Sequence, residues 1–165
     1  MSIISDLEAH NRRYSASFEE QHLPTAPQLR LAIVACMDSR IDVFAVLGLE
    51  NGQAHVIRNA GGVVTDDVIR SLAISQRKLG TREIVLIHHT KCGMQTITDD
   101  GFRQELLEAT GQAPTFAIES FTDLDADVRQ SIARLRTSPF LEHSDSIAGY
   151  VYDVDTGALH RVEER

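Results

Sequence analysis

The chain has 165 residues, with 16 Lys and Arg against 24 Asp and Glu and a formal charge of −8. That length suits one ordinary domain burying about two-thirds of its unfolded surface, and a composition of 42% apolar and 24% charged residues argues against disorder. The acidic balance speaks against nucleic acid or an anionic membrane as a partner. The longest apolar run, Leu31 to Met37, falls far short of the roughly 20 residues that a bilayer span needs. The opening Met1-Ser2-Ile3-Ile4-Ser5-Asp6 lacks the basic-then-apolar order of a secretory signal, so a soluble, cytoplasmic domain is expected.

Residues 2 to about 20 are polar and helix-friendly, with a thin apolar stripe of Ile3, Ile4, Leu7, Tyr14 and Phe18. Such a stripe suits an arm lying across a partner subunit or the outside of the domain better than a core helix, and Pro24 and Pro27 end it. Leu29 to Cys36 reads as a buried strand. Asp42 to Leu47 reads as a helical turn closed by Gly48, and Ala54 to Asn59 as a second strand followed by Gly61-Gly62. Thr65-Asp66-Asp67 opens the clearest helix, a hydroxyl cap with acids in the first turn, which continues through Val68, Ile69, Leu72, Ala73 and Leu79 to Gly80. Arg82 to His88 is a third strand, and Gly101 to Thr110 and Leu124 to Arg136 are further helices. Ile147 to Val154 and Ala158 to Val162 flank the turn Asp155-Thr156-Gly157 as a strand pair. This order predicts an α/β fold: one domain over residues 1–165, with a mostly parallel central sheet flanked by helices, a C-terminal antiparallel strand and an N-terminal helical arm over residues 1–25.

Two cysteines, Cys36 and Cys92, are too few for a disulfide scaffold. Buried inert thiols are the plain alternative, since free cysteine is among the most buried residue types. Both, however, fall at carboxyl ends of predicted strands, where open α/β sheets carry their chemistry. Cys36-Met37-Asp38-Ser39-Arg40 and His88-His89-Thr90-Lys91-Cys92-Gly93 together offer two thiolates and an imidazole, three corners of a tetrahedral zinc site with the fourth open. Extended, His88 and His89 face opposite ways, and the His-x-x-Cys spacing favours His89 beside Cys92. Asp38 could take the fourth corner. A Cys–His catalytic pair would leave one cysteine unexplained. Gly61-Gly62 is read as a backbone turn near the metal, and Gly93 as a place of close backbone approach. His10, His22, His55, His143 and His160 show no metal-like spacing, and the acids from Glu119 to Asp127 read as a solvated face.

Cys-x-Asp-x-Arg followed by His-x-x-Cys-Gly resembles the β-class carbonic anhydrases, and so do Val56-Ile57-Arg58-Asn59-Ala60-Gly61-Gly62 and the closing Gly149 to Gly157. Within that family the chain resembles the short archaeal and actinobacterial branch. The plant-type glutamine before a Pro-Gly pair has no counterpart, the stretch here reading Glu50-Asn51-Gly52. The resemblance implies a lyase with one Zn²⁺ per chain held by Cys36, His89 and Cys92. Asp38 would pair with Arg40, and a zinc-bound hydroxide would attack CO₂ to give bicarbonate and a proton. It also implies a homodimer, or a homotetramer built from two such dimers. Other readings are the same fold acting on another small linear substrate such as carbon disulfide, and a non-catalytic zinc- or bicarbonate-binding protein.

Overall fold

Four of the five strands form because short β-branched and aliphatic runs are bounded by turn residues; in the fifth, β5, a three-residue edge strand, only Leu159 is aliphatic. In the computed structural model, which describes residues 2–164, they are β1 (Leu31–Cys36), β2 (Ala54–Asn59), β3 (Glu83–His89), β4 (Ile147–Tyr152) and β5 (Leu159–Arg161). The two end positions of the expected 1–165 domain lie outside the described residues. The strands form one sheet in the order β2-β1-β3-β4-β5. The first four run parallel, and β5 is antiparallel to β4. This is the expected architecture.

The helices are α1 (Ile3–Ala16), α2 (Val43–Leu47), α3 (Asp66–Leu79), α4 (Asp99–Thr110) and α5 (Leu124–Thr137). Thr65 caps α3 by accepting from the Val68 amide, and left-handed Gly80 ends it. α4 begins two residues earlier than expected, because Thr98 caps it and Asp99 and Asp100 fill its first turn. β4 stops at Tyr152, two residues early, where the Asp153 carboxylate accepts from the Asp155 and Thr156 amides and starts the turn. Among the described residues no helix is long and apolar enough to cross a membrane.

Strand alternation sorts the core into two layers. Ala32, Val34, Ile84 and Leu86 pack against Val68 and Leu72 of α3 and Val128, Ile132 and Leu135 of α5. Ile33, Ala35 and Ile87 face the other way, onto Ile41, Val43, Val63 and Phe121. α1 buries none of its residues, and Ile3, Ile4, Leu7 and Tyr14 stay exposed. The stripe predicted from the sequence is therefore present and has no covering surface among the described residues.

The chain leaves β1 toward β2 and then crosses to β3 on the opposite side of β1. The crevice above the carboxyl ends of β1 and β3 is thus the topological switch point, where open parallel sheets place ligands. A 3₁₀ turn, Ala60–Gly62, is wedged beneath it. Gly62 has φ +72°, and a Cβ there would stand 2.7 Å from the Cys36 amide nitrogen and 3.0 Å from the Ile87 carbonyl oxygen. Both obstacles are backbone and cannot swing aside. Gly93 differs from its expectation: its φ lies outside the left-handed region, and nothing lies within 4 Å of an added Cβ. Close approach at this end of the sheet is the task of Gly62. Gly62→Ala is expected to cost about 2 kcal/mol or more and Gly93→Ala less than about 0.5 kcal/mol, as read by chemical denaturation of the metal-free chains.

Candidate metal centre

Parallel pairing of β1 with β3 sets Ala35 opposite Ile87, so the two strands finish side by side at Cys36 and His89. The chain then turns. The Thr90 amide donates to the Tyr152 carbonyl at 2.9 Å, and the Val154 amide donates to the Thr90 hydroxyl at 3.1 Å. Lys91 adopts a left-handed conformation with φ 56°, rare for a side chain other than glycine, asparagine or aspartate. This reversal brings Cys92 back beside His89. The Sγ atoms of Cys36 and Cys92 and a ring nitrogen of His89 lie within 4.8 Å of one another. All three residues are buried, His89 completely.

The His89 tautomer follows from its neighbour. Nδ1 lies 3.0 Å from the Thr90 carbonyl oxygen, which can only accept, so Nδ1 carries the proton and Nε2 keeps a lone pair. That Nε2 is buried and has no hydrogen-bond partner. A buried acceptor left bare costs about 1–3 kcal/mol; a cation beside it removes the cost. The thiols point the same way. The Cys36 pKa is lowered to about 4, chiefly because the Cys92 thiol donates to it, with help from backbone amides and against its burial. Cys92, which holds the shared proton, is pushed far up by that same bond and by burial. Two soft sulfurs and a neutral imidazole form a donor set suited to zinc.

Asp38 stands at the edge of this trio, its Oδ2 3.7 Å from His89 Nε2. Arg40 grips it as a fork: Nε donates to Oδ1 at 2.9 Å and an Nη to Oδ2 at 2.7 Å, and the Arg40 amide adds a third bond at 2.9 Å. Those bonds hold the Asp38 carboxyl well below the usual carboxylate range. Arg40 is itself fixed by donating to the Lys91 carbonyl at 3.1 Å, which the left-handed turn presents to it. The structure thus brings together all five residues singled out from the sequence: Cys36, Asp38, Arg40, His89 and Cys92.

His88 faces away, fully buried, with its Nε2 2.6 Å from Asp127 of α5. It lies opposite His89, as the alternation implied, and is packed there rather than solvent-facing. Asp127, read from the sequence as part of a solvated face, is in fact its partner. Two further contacts brace the site. The Arg58 guanidinium donates to the Cys36 and Asp38 carbonyls, and Lys91 Nζ pairs with Asp155 across the β4–β5 turn. A lone charge directly after the half-buried run Ala54 to Ile57 was the available sign for Arg58.

A parallel sheet with two cysteines and a histidine buried at its switch point, beside a carboxylate clamped by arginine, defines a metal-site α/β protein of the β-carbonic-anhydrase kind. The carbonic anhydrase family profile matches residues 31–159, and the chain belongs to that family, in its β class. It is 54% identical over 162 residues to β-carbonic anhydrase 1 of Mycobacterium tuberculosis, covering 98% of this chain and 99% of that one. A crystal structure of carbonic anhydrase from Streptococcus mutans superimposes with a TM-score of 0.91 at 46% identity, covering 99% of both chains. Carbon disulfide hydrolase of Saccharolobus solfataricus is more distant, 35% identical over 160 residues, 82% of this chain and 78% of that one.

The left-handed turn gives a direct test. Lys91→Gly should keep the parent's metal affinity within a few-fold, since the exposed pair with Asp155 is worth less than about 1 kcal/mol. Lys91→Val, forced into a conformation costing a branched residue about 1–3 kcal/mol, should lose about 10–100-fold. Competition titration against a chromophoric chelator measures both.

Proposed function

We propose that the chain catalyses the reversible hydration of carbon dioxide to bicarbonate and a proton, with one Zn²⁺ held by Cys36, His89 and Cys92. The observation that carries this reading is the buried, partnerless His89 Nε2 beside two thiol sulfurs and the Asp38–Arg40 pair. A purely structural zinc needs four protein ligands and has no use for a clamped carboxylate beside three. Zinc, when bound there, supplies a Lewis acid that brings the pKa of water toward neutrality, an effect for which carbonic anhydrase is the usual illustration.

The remaining work falls to the chain. His89 offers Nε2 because the Thr90 carbonyl keeps the proton on Nδ1. Asp38, kept ionised by Arg40, can only accept hydrogen bonds. It therefore selects and orients an oxygen that carries a proton next to the trio. Arg40, by engaging both carboxylate oxygens, keeps Asp38 from becoming a fourth ligand itself. The main supports for CO₂ over carbon disulfide are the name and the closeness of the 54% identical relative. The same reading makes residues 1–165 one domain with an arm over 1–25. It makes the working unit a cytoplasmic homodimer, or a tetramer of such dimers, without nucleic-acid or membrane partners. Its support in the structure is α1, whose apolar stripe is left uncovered among the described residues.

Stopped-flow CO₂ hydration should be present in the zinc-loaded protein and lost on chelation. Asp38→Ala should keep stoichiometric zinc and lose about 10²-fold in turnover, the usual loss for one preorganised polar group; parental turnover would remove Asp38 from the mechanism. Arg40→Ala should also keep zinc and be nearly inactive, its freed carboxylate closing the site. The pH profile carries a sign. Cys36 and Cys92 bring two negative charges and oppose the appearance of a third, so activity should climb from about pH 6 to about pH 9. Asp38, ionised throughout that range, contributes no step to it. A flat profile would contradict the charge argument.

A further inference from the structure

We infer that Arg58 is a positioning residue for the metal centre, setting the path of the backbone between the ligand Cys36 and the carboxylate Asp38. Its Nε donates to the Cys36 carbonyl at 2.9 Å and one of its terminal nitrogens donates to the Asp38 carbonyl at 2.7 Å. Arg58 stands on β2 in register with Ala35 of β1, so it reaches this segment from the neighbouring strand. The chain leaves the sheet just here: the Met37 amide still donates to the Asn59 carbonyl at 2.8 Å, and beyond it the strand ladder has nothing more to offer. A planar guanidinium with fixed donor directions takes over where the ladder ends. It fixes the separation and relative tilt of the two carbonyls flanking Met37.

That separation matters because the two residues must do opposite things. Cys36 must aim its sulfur into the trio, whereas Asp38 must stand at its edge, 3.7 Å from His89 Nε2. Arg40 holds the Asp38 carboxylate, whereas Arg58 holds the Asp38 carbonyl, which also accepts from the Ile41 amide at 3.1 Å. The two arginines are therefore complementary. From the other side Gly62 lets the 3₁₀ turn press against the Cys36 amide. Cys36 is fixed at its amide by packing and at its carbonyl by a charge-assisted bond. Lysine could not substitute, because a single ammonium centre does not reproduce a fork spanning two acceptors.

The inference rests on the metal-site part of the proposed function, and its test has arms that need no CO₂. The parent, Arg58→Gln and Arg58→Lys are each loaded with Co²⁺ in place of zinc, and separately with zinc. Both variants should still take up one metal per chain, since the three ligands remain. Arg58→Gln should shift the visible cobalt and thiolate-to-cobalt bands, lose zinc to a chelator about 10–100-fold faster, and lose a similar factor in kcat at nearly unchanged KM. Arg58→Lys should restore neither the bands nor the chelator rate. A role confined to general stability would lower the melting temperature and leave the bands and kcat of the loaded protein as in the parent. That result for Arg58→Gln, or full recovery of bands and rates by Arg58→Lys, overturns the inference. If Arg58→Gln does not fold, the bands and chelator rate of Arg58→Lys decide alone, parental values overturning it. A parent that shows thiolate–cobalt bands yet hydrates no CO₂ would sink the proposed function while leaving this inference to its spectral and chelator arms.

Discussion

Everything at the functional end of the molecule depends on one electrostatic constraint: two sulfurs and a bare imidazole nitrogen are buried within 4.8 Å of one another. Without a cation, the cluster must share a proton between its thiols, as the lowered Cys36 and raised Cys92 do, and leave His89 Nε2 unsatisfied. Burying groups in that state is costly. Coordination of a dication answers the excess negative charge and the orphaned lone pair together, and so removes the cost of the arrangement. It also couples metal binding to proton release, so affinity falls as the medium becomes acidic.

Topology is how the sequence meets that constraint. The winding order of the parallel strands reverses at β1, which leaves a crevice over the carboxyl ends of β1 and β3, and Cys36, His89 and Cys92 cluster there. The surrounding clamps come from everywhere else. Arg58 reaches over from β2, Tyr152 and Val154 hold Thr90 from the β4 end, and Gly62 allows a turn to pack against the Cys36 amide. Each of these contacts is local in space and distant in sequence. The sheet thus holds the site in place, and the Asp38–Arg40 pair stands at its edge, where Arg40 is half-exposed.

The same split between near and far explains what could be read from the amino acids. Thr65 and Gly80 bound α3 as expected because capping is decided by a few adjacent residues. β2 falls at Ala54–Asn59 as expected because a short aliphatic run between turn residues leaves little choice. Cys36 and His89 were legible through strand ends and spacing. The role of Arg58 was not, since a guanidinium bonding the last carbonyl of the neighbouring strand and one just beyond it leaves no periodic trace. Nor was the pairing of Asp127 with His88, whose carboxylate sits among acids that do face solvent. Gly93 was overvalued for its place beside Cys92, whereas the crowding that demands a glycine lies at Gly62, opposite backbone that only the folded sheet brings near.

X-ray absorption at the zinc edge, on the protein at about pH 8 with one metal per chain, tests the central claim most directly. The expected spectrum is that of a four-coordinate shell of two sulfurs at about 2.3 Å and two lighter atoms at about 2.0 Å, with one of the light atoms showing the outer-shell scattering of an imidazole. The spectrum of Asp38→Ala should match the parent's, because Arg40 keeps that carboxylate off the metal. A shell with fewer than two sulfurs would contradict the assignment of Cys36 and Cys92. A light-atom shell that changes when Asp38 is removed would contradict the clamped carboxylate.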